Sequence, residues 1–279
     1  MIFAVLVTLV GVSESRADIV VTGAFGPNGD INSSANSPAG LGLTFGASNQ
    51  GFLGPDFGQL DAFVNVAGQN LNNTGSGFGT SADLSYGSPT GLGFQFSSSQ
   101  PTTHQLLLSY QFVNSTGVDL PGFQLLSLVD AGIGSNFADE SATTAGALGN
   151  GHFGSGASSF QVGDPSSSTL YTNLSSGTLS NVNELSSPTS GDVAIGLGLQ
   201  FGTLHAGQSV GFLVLLSDDG SNLGGLVVTQ TDPVFLNTTL TVSARVVPEP
   251  SALIQLAIGL LSLPAIGYIR WTHRKPDAS

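Results

Sequence analysis

The run Gln105-Leu106-Leu107-Leu108-Ser109-Tyr110-Gln111-Phe112 decides the fold class. Leu106, Leu108, Tyr110 and Phe112 fall on every second residue, and Gln105, Ser109 and Gln111 stand among the alternate positions. A period of two puts one set of side chains on one face of a β-strand and the other set on the opposite face. The same period recurs downstream. Val193, Ile195, Leu197, Leu199 and Phe201 alternate with Ala194, Gly196, Gly198, Gln200 and Gly202. Leu240, Val242, Ala244 and Val246 alternate with Thr241, Ser243, Arg245 and Val247. Further strands are expected near 19–25, 60–67, 91–97, 122–129, 209–217 and 225–231, with Asn, Asp, Gly and Pro clusters supplying the turns between them. No amphipathic helical repeat of useful length appears outside the apolar runs near the two ends. The expectation is an all-β protein, an antiparallel β-sandwich or jelly-roll-like domain.

Two long polar stretches, 26–59 and 130–192, interrupt this pattern. In a sandwich they would be long loops or extra edge strands, and loops of that length are usually functional or mobile. Residues 18–246 hold 15 acidic residues against one basic residue, Arg245, a net charge of −14. Such a surface repels phosphate backbones, which excludes a nucleic-acid partner. The chain has no Cys, so disulfides and thiolate metal sites are excluded. Low charge with many apolar runs argues against a disordered chain.

The two ends carry an address. Ile2 to Val12 is an apolar stretch the size of a signal-peptide core and too short to span a bilayer. Ser15-Arg16-Ala17 puts small residues at the −3 and −1 positions of a cleavage site, so a cut between Ala17 and Asp18 is expected. Residues 1–17 are then a signal peptide, and 18–246 an exported ectodomain. The remainder, 247–279, has three parts. Val247-Pro248-Glu249-Pro250 fixes an extended backbone that lacks two amide donors. Ser251 to Ile269 is a 19-residue apolar run. As a helix it spans about 28 Å, close to the hydrocarbon thickness of a bilayer, so one C-terminal transmembrane helix is expected. Arg270, Arg274 and Lys275 follow it and would stay cytoplasmic.

This three-part tail resembles the PEP-CTERM sorting signal of bacterial envelope proteins. The resemblance covers only about the last tenth of the chain and rests on Pro248, Glu249 and Pro250, the span behind them, and Arg270, Arg274 and Lys275. Gln255 and Pro264 interrupt the span, and Trp271, Thr272 and His273 dilute the basic end. The resemblance implies a membrane-embedded processing enzyme of the exosortase type as partner and a cut near the Pro-Glu-Pro. It also implies anchoring in the inner membrane as a precursor, then delivery to the cell surface or an exopolysaccharide matrix. Tyr110 to Gly117 and Leu128 to Ala131 loosely resemble β domains carried by that family. Leu263-Pro264-Ala265-Ile266-Gly267 is a decoy for a sortase pentapeptide. It has Ile in place of Thr and lies inside the apolar run, whereas a sortase needs its motif in water before the span.

Within the ectodomain the chemical signals are faint. Gly207-Gln208-Ser209-Val210-Gly211 matches a nucleophile-elbow pattern, but a strand is expected after it where a helix is needed, and no ectodomain His follows. It reads as a strand-opening turn. Asp130, Asp139 and Glu140 flank a Gly-rich loop, and Asp218-Asp219-Gly220 closes a strand. These acids are weak Ca²⁺ candidates, because Ca²⁺ wants six to eight oxygens and neither group has EF-hand spacing. Solvated loop acids are the expected reading, with no cofactor. His104, His152 and His205 are too widely spaced for a metal pair and read as lone strand or loop residues. Asn32, Asn72, Asn114, Asn173 and Asn237 begin Asn-X-Ser/Thr triplets, an option for glycosylation only. The leading expectation is a non-enzymatic envelope protein. A carbohydrate-binding module or adhesin on the same fold is the alternative, and it would need exposed rings among Tyr86, Tyr110 and Tyr171. A secreted hydrolase is the third reading.

Overall fold

The alternation at 105–112 becomes a strand with one buried face. The structure is a computed structural model that describes residues 19–22, 31–32, 42–45, 59–66, 69–70, 91–133, 139–165, 168–187, 189–233 and 238–247. In strand β7, Gln105–Asn114, every second side chain from Leu106 to Asn114 is buried. The other strands are β1 Ile19–Thr22, β2 Ile31–Asn32, β3 Gly42–Phe45, β4 Gln59–Val66, β5 Gln69–Asn70, β6 Leu92–Ser99, β8 Leu120–Asp130, β9 Ser141–Ala145, β10 Ser159–Gly163, β11 Ala194–Leu204, β12 Ser209–Ser217, β13 Val227–Asp232 and β14 Thr238–Val247. Among the described residues there is one helix, α1, from Ser168 to Ser176.

All pairings between these strands are antiparallel. The first large sheet has the order β10-β11-β8-β4-β2, with β5 also on β4. The second has the order β6-β7-β12-β14-β13-β9. β1 and β3 form a separate pair. The two large sheets share one core, which gives a sandwich-like arrangement. Ala62, Leu125, Ile195 and Leu197 of the first sheet are buried with Leu108, Phe112, Val214 and Val242 of the second. Phe123 of β8 joins them most visibly. Its ring lies 5.3 Å from Phe112 and 6.3 Å from Phe212, centroid to centroid, within the range for favourable aromatic pairs.

Each strand expected from periodicity is present, and β2, β3, β9 and β10 fall inside the two polar stretches. β9 and β10 end their sheets, so the 130–192 stretch does supply edge strands. The helix is a correction. α1 has only nine residues, too few for a periodic signal among Ser, Thr and Asn. Leu170, Tyr171 and Leu174 nevertheless bury with Leu126, Leu128 and Ala194 on the outer face of the first sheet. The glycines of β11 make this seat. A Cβ on Gly196 would meet Leu170 Cδ1 at 3.1 Å and Leu179 Cδ2 at 3.3 Å. The alternation in β11 therefore marks two buried faces, one against the partner sheet and one beneath the helix.

No helix among the described residues is long and apolar enough to cross a membrane. The expected span 251–269, Pro248, Glu249, Pro250, Arg270, Arg274 and Lys275 lie outside the described residues, as do the signal peptide and the cut between Ala17 and Asp18.

Candidate functional site

The most unusual chemistry sits where three neighbouring strands end. Ala194, the first residue of β11, pairs with Asp130 of β8 on one side and Gly163 of β10 on the other. Asp130, Asp164 and Asp192 are thus gathered at one end of the first sheet. Glu140 joins them from the approach to β9. Its backbone bridges Gly191, whose amide donates to the Glu140 carbonyl at 2.9 Å.

Glu140 is fully buried, and Asp130 is 8% exposed. The expectation of solvated loop acids fails for both, because each continues a buried β segment and does not project from a turn. Glu140 Oε1 accepts from the Ile133 amide at 2.6 Å. Its Oε2 accepts from the Val193 amide at 3.2 Å and from Gln230 Nε2 at 2.8 Å. Gln230 also donates to the Ala131 carbonyl. One carboxyl therefore ties the segment after β8, the start of β11 and strand β13 together, joining both sheets. Tyr171 of α1 brings its hydroxyl to 3.5 Å from Asp130 Oδ2.

Burial dominates the electrostatics of these acids. It pushes the Glu140 carboxyl up to about 8; the Ile133 and Val193 amides oppose the shift and the Asp192 charge adds to it. Burial also raises Asp130 to about 7, helped by Asp192 and opposed by the Tyr171 hydroxyl. Asp192 rises to about 6 by burial and the nearby Asp164. Like charges in a low-dielectric end cannot all ionise together, so protons are held here near neutral pH. Of the weak Ca²⁺ candidates, Asp139 is half-buried beside Glu140 in the chain. Among the described residues no three His, Cys, Asp or Glu side chains are grouped to hold a metal ion.

The other candidates are dispersed. Of His104, His152 and His205, two have carboxylate partners that the spacing did not reveal. His104 Nδ1 lies 2.9 Å from Asp218 Oδ1, and His205 Nδ1 lies 2.9 Å from Asp119 Oδ2. Burial raises Asp218 to about 6, with His104 pulling the other way. The Gly207 to Gly211 stretch is the expected turn. Gly207 takes φ +78, its amide donates to the Asn114 carbonyl at 2.7 Å, and Ser209 opens β12. Asn114 is wholly buried and donates to the Leu204 and Val118 carbonyls, so its amide is not available for glycosylation. Tyr110 is fully buried and Tyr171 is 8% exposed, so neither offers an open ring to a sugar. Tyr86 lies outside the described residues. Compared with protein-family models, curated proteins and solved structures, the chain gives no match.

Of the tail motif, only Val247 is described. It is the last residue of β14 and pairs with Gly211 of β12. Pro248 follows directly, so the sheet and the motif meet without a linker.

Proposed function

We propose that this chain is an exported, non-enzymatic protein of the bacterial envelope or exopolysaccharide matrix. In this reading residues 18–246 form a jelly-roll-like β-sandwich cargo, and residues 247–279 are its sorting tail. The observation that carries the reading is the order Pro248-Glu249-Pro250, apolar run, Arg270, Arg274, Lys275, beginning directly after β14. The run behind the motif is a temporary helical anchor that holds the substrate beside a membrane-embedded, exosortase-type enzyme. The basic end stops translocation, because moving several charges through hydrocarbon is costly. The signal-like N-terminus and the acidic, Lys-free ectodomain support an exported precursor that starts at the inner membrane and ends at the surface.

The test uses a host that carries an exosortase. Glu249→Ala is expected to leave export intact and block release, since the span still anchors. Deleting residues 251–275 is expected to give a protein that crosses the membrane without being held for processing. Masses of the membrane and surface fractions decide. A Glu249→Ala protein trimmed like the wild type reduces the motif to a linker. A wild type that keeps its C-terminus in every fraction makes the tail a permanent anchor.

A further inference from the structure

Between β9 and β10 the chain crosses from the second sheet to the first, and on the way it takes over the pairing of β14. β13 accompanies β14 only as far as Ser243, which pairs with Val227. Beyond that point residues 154–156 replace it. Gly156 bridges Arg245, the Gly154 amide donates to the Val246 carbonyl at 2.8 Å, and the Val246 amide donates to the Ser155 carbonyl at 3.0 Å. On the other side β12 pairs with Ala244, Arg245, Val246 and Val247. Arg245 and Val246 are therefore flanked on both backbone edges.

The crossing segment, 146–157, is seated by backbone on backbone. A Cβ on Gly156 would come within 2.9 Å of Gly225 Cα, and one on Gly225 within 2.7 Å of Gly156 Cα. A Cβ on Gly146 would strike the Gly225 carbonyl. Such approach needs glycine on both partners. Inside the segment the Gly149 amide donates to the Ala157 carbonyl at 2.6 Å. Its tip is held to the first sheet by Phe153, whose ring packs 5.3 Å from Phe201.

We propose that residues 146–157 are a strap that keeps the end of β14 out of any protease cleft, so that processing of the tail is confined to bonds after Val247. A protease that reads its substrate as an added strand needs a free backbone edge. Arg245 and Val246 offer none while the strap is seated, Val247 is paired with β12, and Pro248 follows it directly. The part concerning the tail rests on the sorting function proposed above. The strap itself does not, and it can be measured without exosortase.

Trypsin is the probe, because Arg245–Val246 is the single tryptic bond in residues 18–246. With the full-length chain in detergent, this bond is expected to resist trypsin in the native protein and to be cut in urea. Gly156→Val should unseat the strap and speed the native cut at least about 10-fold, the factor that about 1.4 kcal/mol of lost local stability gives. Gly154→Ala, strained by its φ of +84, is the milder second variant. Gly220→Ala, at φ +78 with open space around it, is the control for strain elsewhere and should leave the rate unchanged. Rapid native cutting of the wild type overturns the strap, as do strap variants cut no faster than the control. In the exosortase host, a wild-type product ending upstream of Val247 overturns the confinement. A tail that is never processed counts against the sorting function and leaves the trypsin result to decide the strap.

Discussion

Strand β9 leads at its two ends into regions built on opposite terms. Its first residue, Ser141, follows Glu140 and the buried acids. Its last, Ala145, opens into the glycine strap. The acid end is held by side-chain hydrogen bonds that converge on one carboxyl. The strap end is held by main chain against main chain, where a side chain would not fit. The first is strong but titrates. The second has a hydrogen-bond pattern no ordinary pH alters, yet a single methyl group disturbs it. Two ways of closing a sandwich thus carry different vulnerabilities.

The largest effect is expected from Glu140→Ala. It leaves the Ile133 and Val193 amides and the Gln230 amide without their acceptor in the interior, at about 1–3 kcal/mol for each unsatisfied group. Chemical denaturation should show a loss of about 3 kcal/mol or more; a change below about 1 kcal/mol would mean that water replaces the carboxyl.

Next comes the response to pH. The folded Glu140, Asp130 and Asp192 sit at about 8, 7 and 6, above the value of about 4 expected for an unfolded carboxyl. The folded state therefore binds more protons between those values, and its stability falls as pH rises. The stabilisation is complete below about pH 4 and is lost as pH climbs through 6, 7 and 8. Tm should drop across that window, by about 2–4 °C for each kcal/mol. Glu140→Gln keeps an oxygen acceptor and removes one titration, so it should flatten the upper part of the curve. An unchanged slope would place the titration elsewhere.

The smallest effect sharpens the contrast from the other end. A Cβ at Gly149 strikes the Gly156 carbonyl, so Gly149→Ala should lower stability by about 1–3 kcal/mol. Its Tm curve against pH should run parallel to that of the wild type, because the strap contains none of the buried acids and distant sites add. A changed slope would show that the two ends are coupled through β9.

How much was legible in the sequence follows the same division. Strand β7 could be read residue by residue, because one face meets the core and the other is only half-buried. β11 showed its period through Ile195, Leu197 and Leu199, but the glycines between them did not announce the helix they make room for. That helix is two and a half turns long, and its seat is built by residues far away in the chain. The burial of the acids is hidden from the sequence for a related reason. Asp130 and Asp192 are brought together by the pairing of β8 with β11, and no local spacing encodes that meeting. Glycine at 146, 149, 154 and 156 looked like loop composition, when each in fact meets another part of the chain at close range.

The place of β14 has one more consequence. It is the last strand among the described residues, yet it lies inside its sheet, between β12 and β13. As the chain is made from its N-terminus, β12 precedes β14, and the apolar run Val210 to Leu216 then lies along an unfilled edge. That edge waits until residues 238–247 arrive. A chain broken off between β13 and β14 has a gap between β12 and β13 instead of a shortened rim. Closure of the second sheet therefore waits on residues 238–247, however early its other strands have formed.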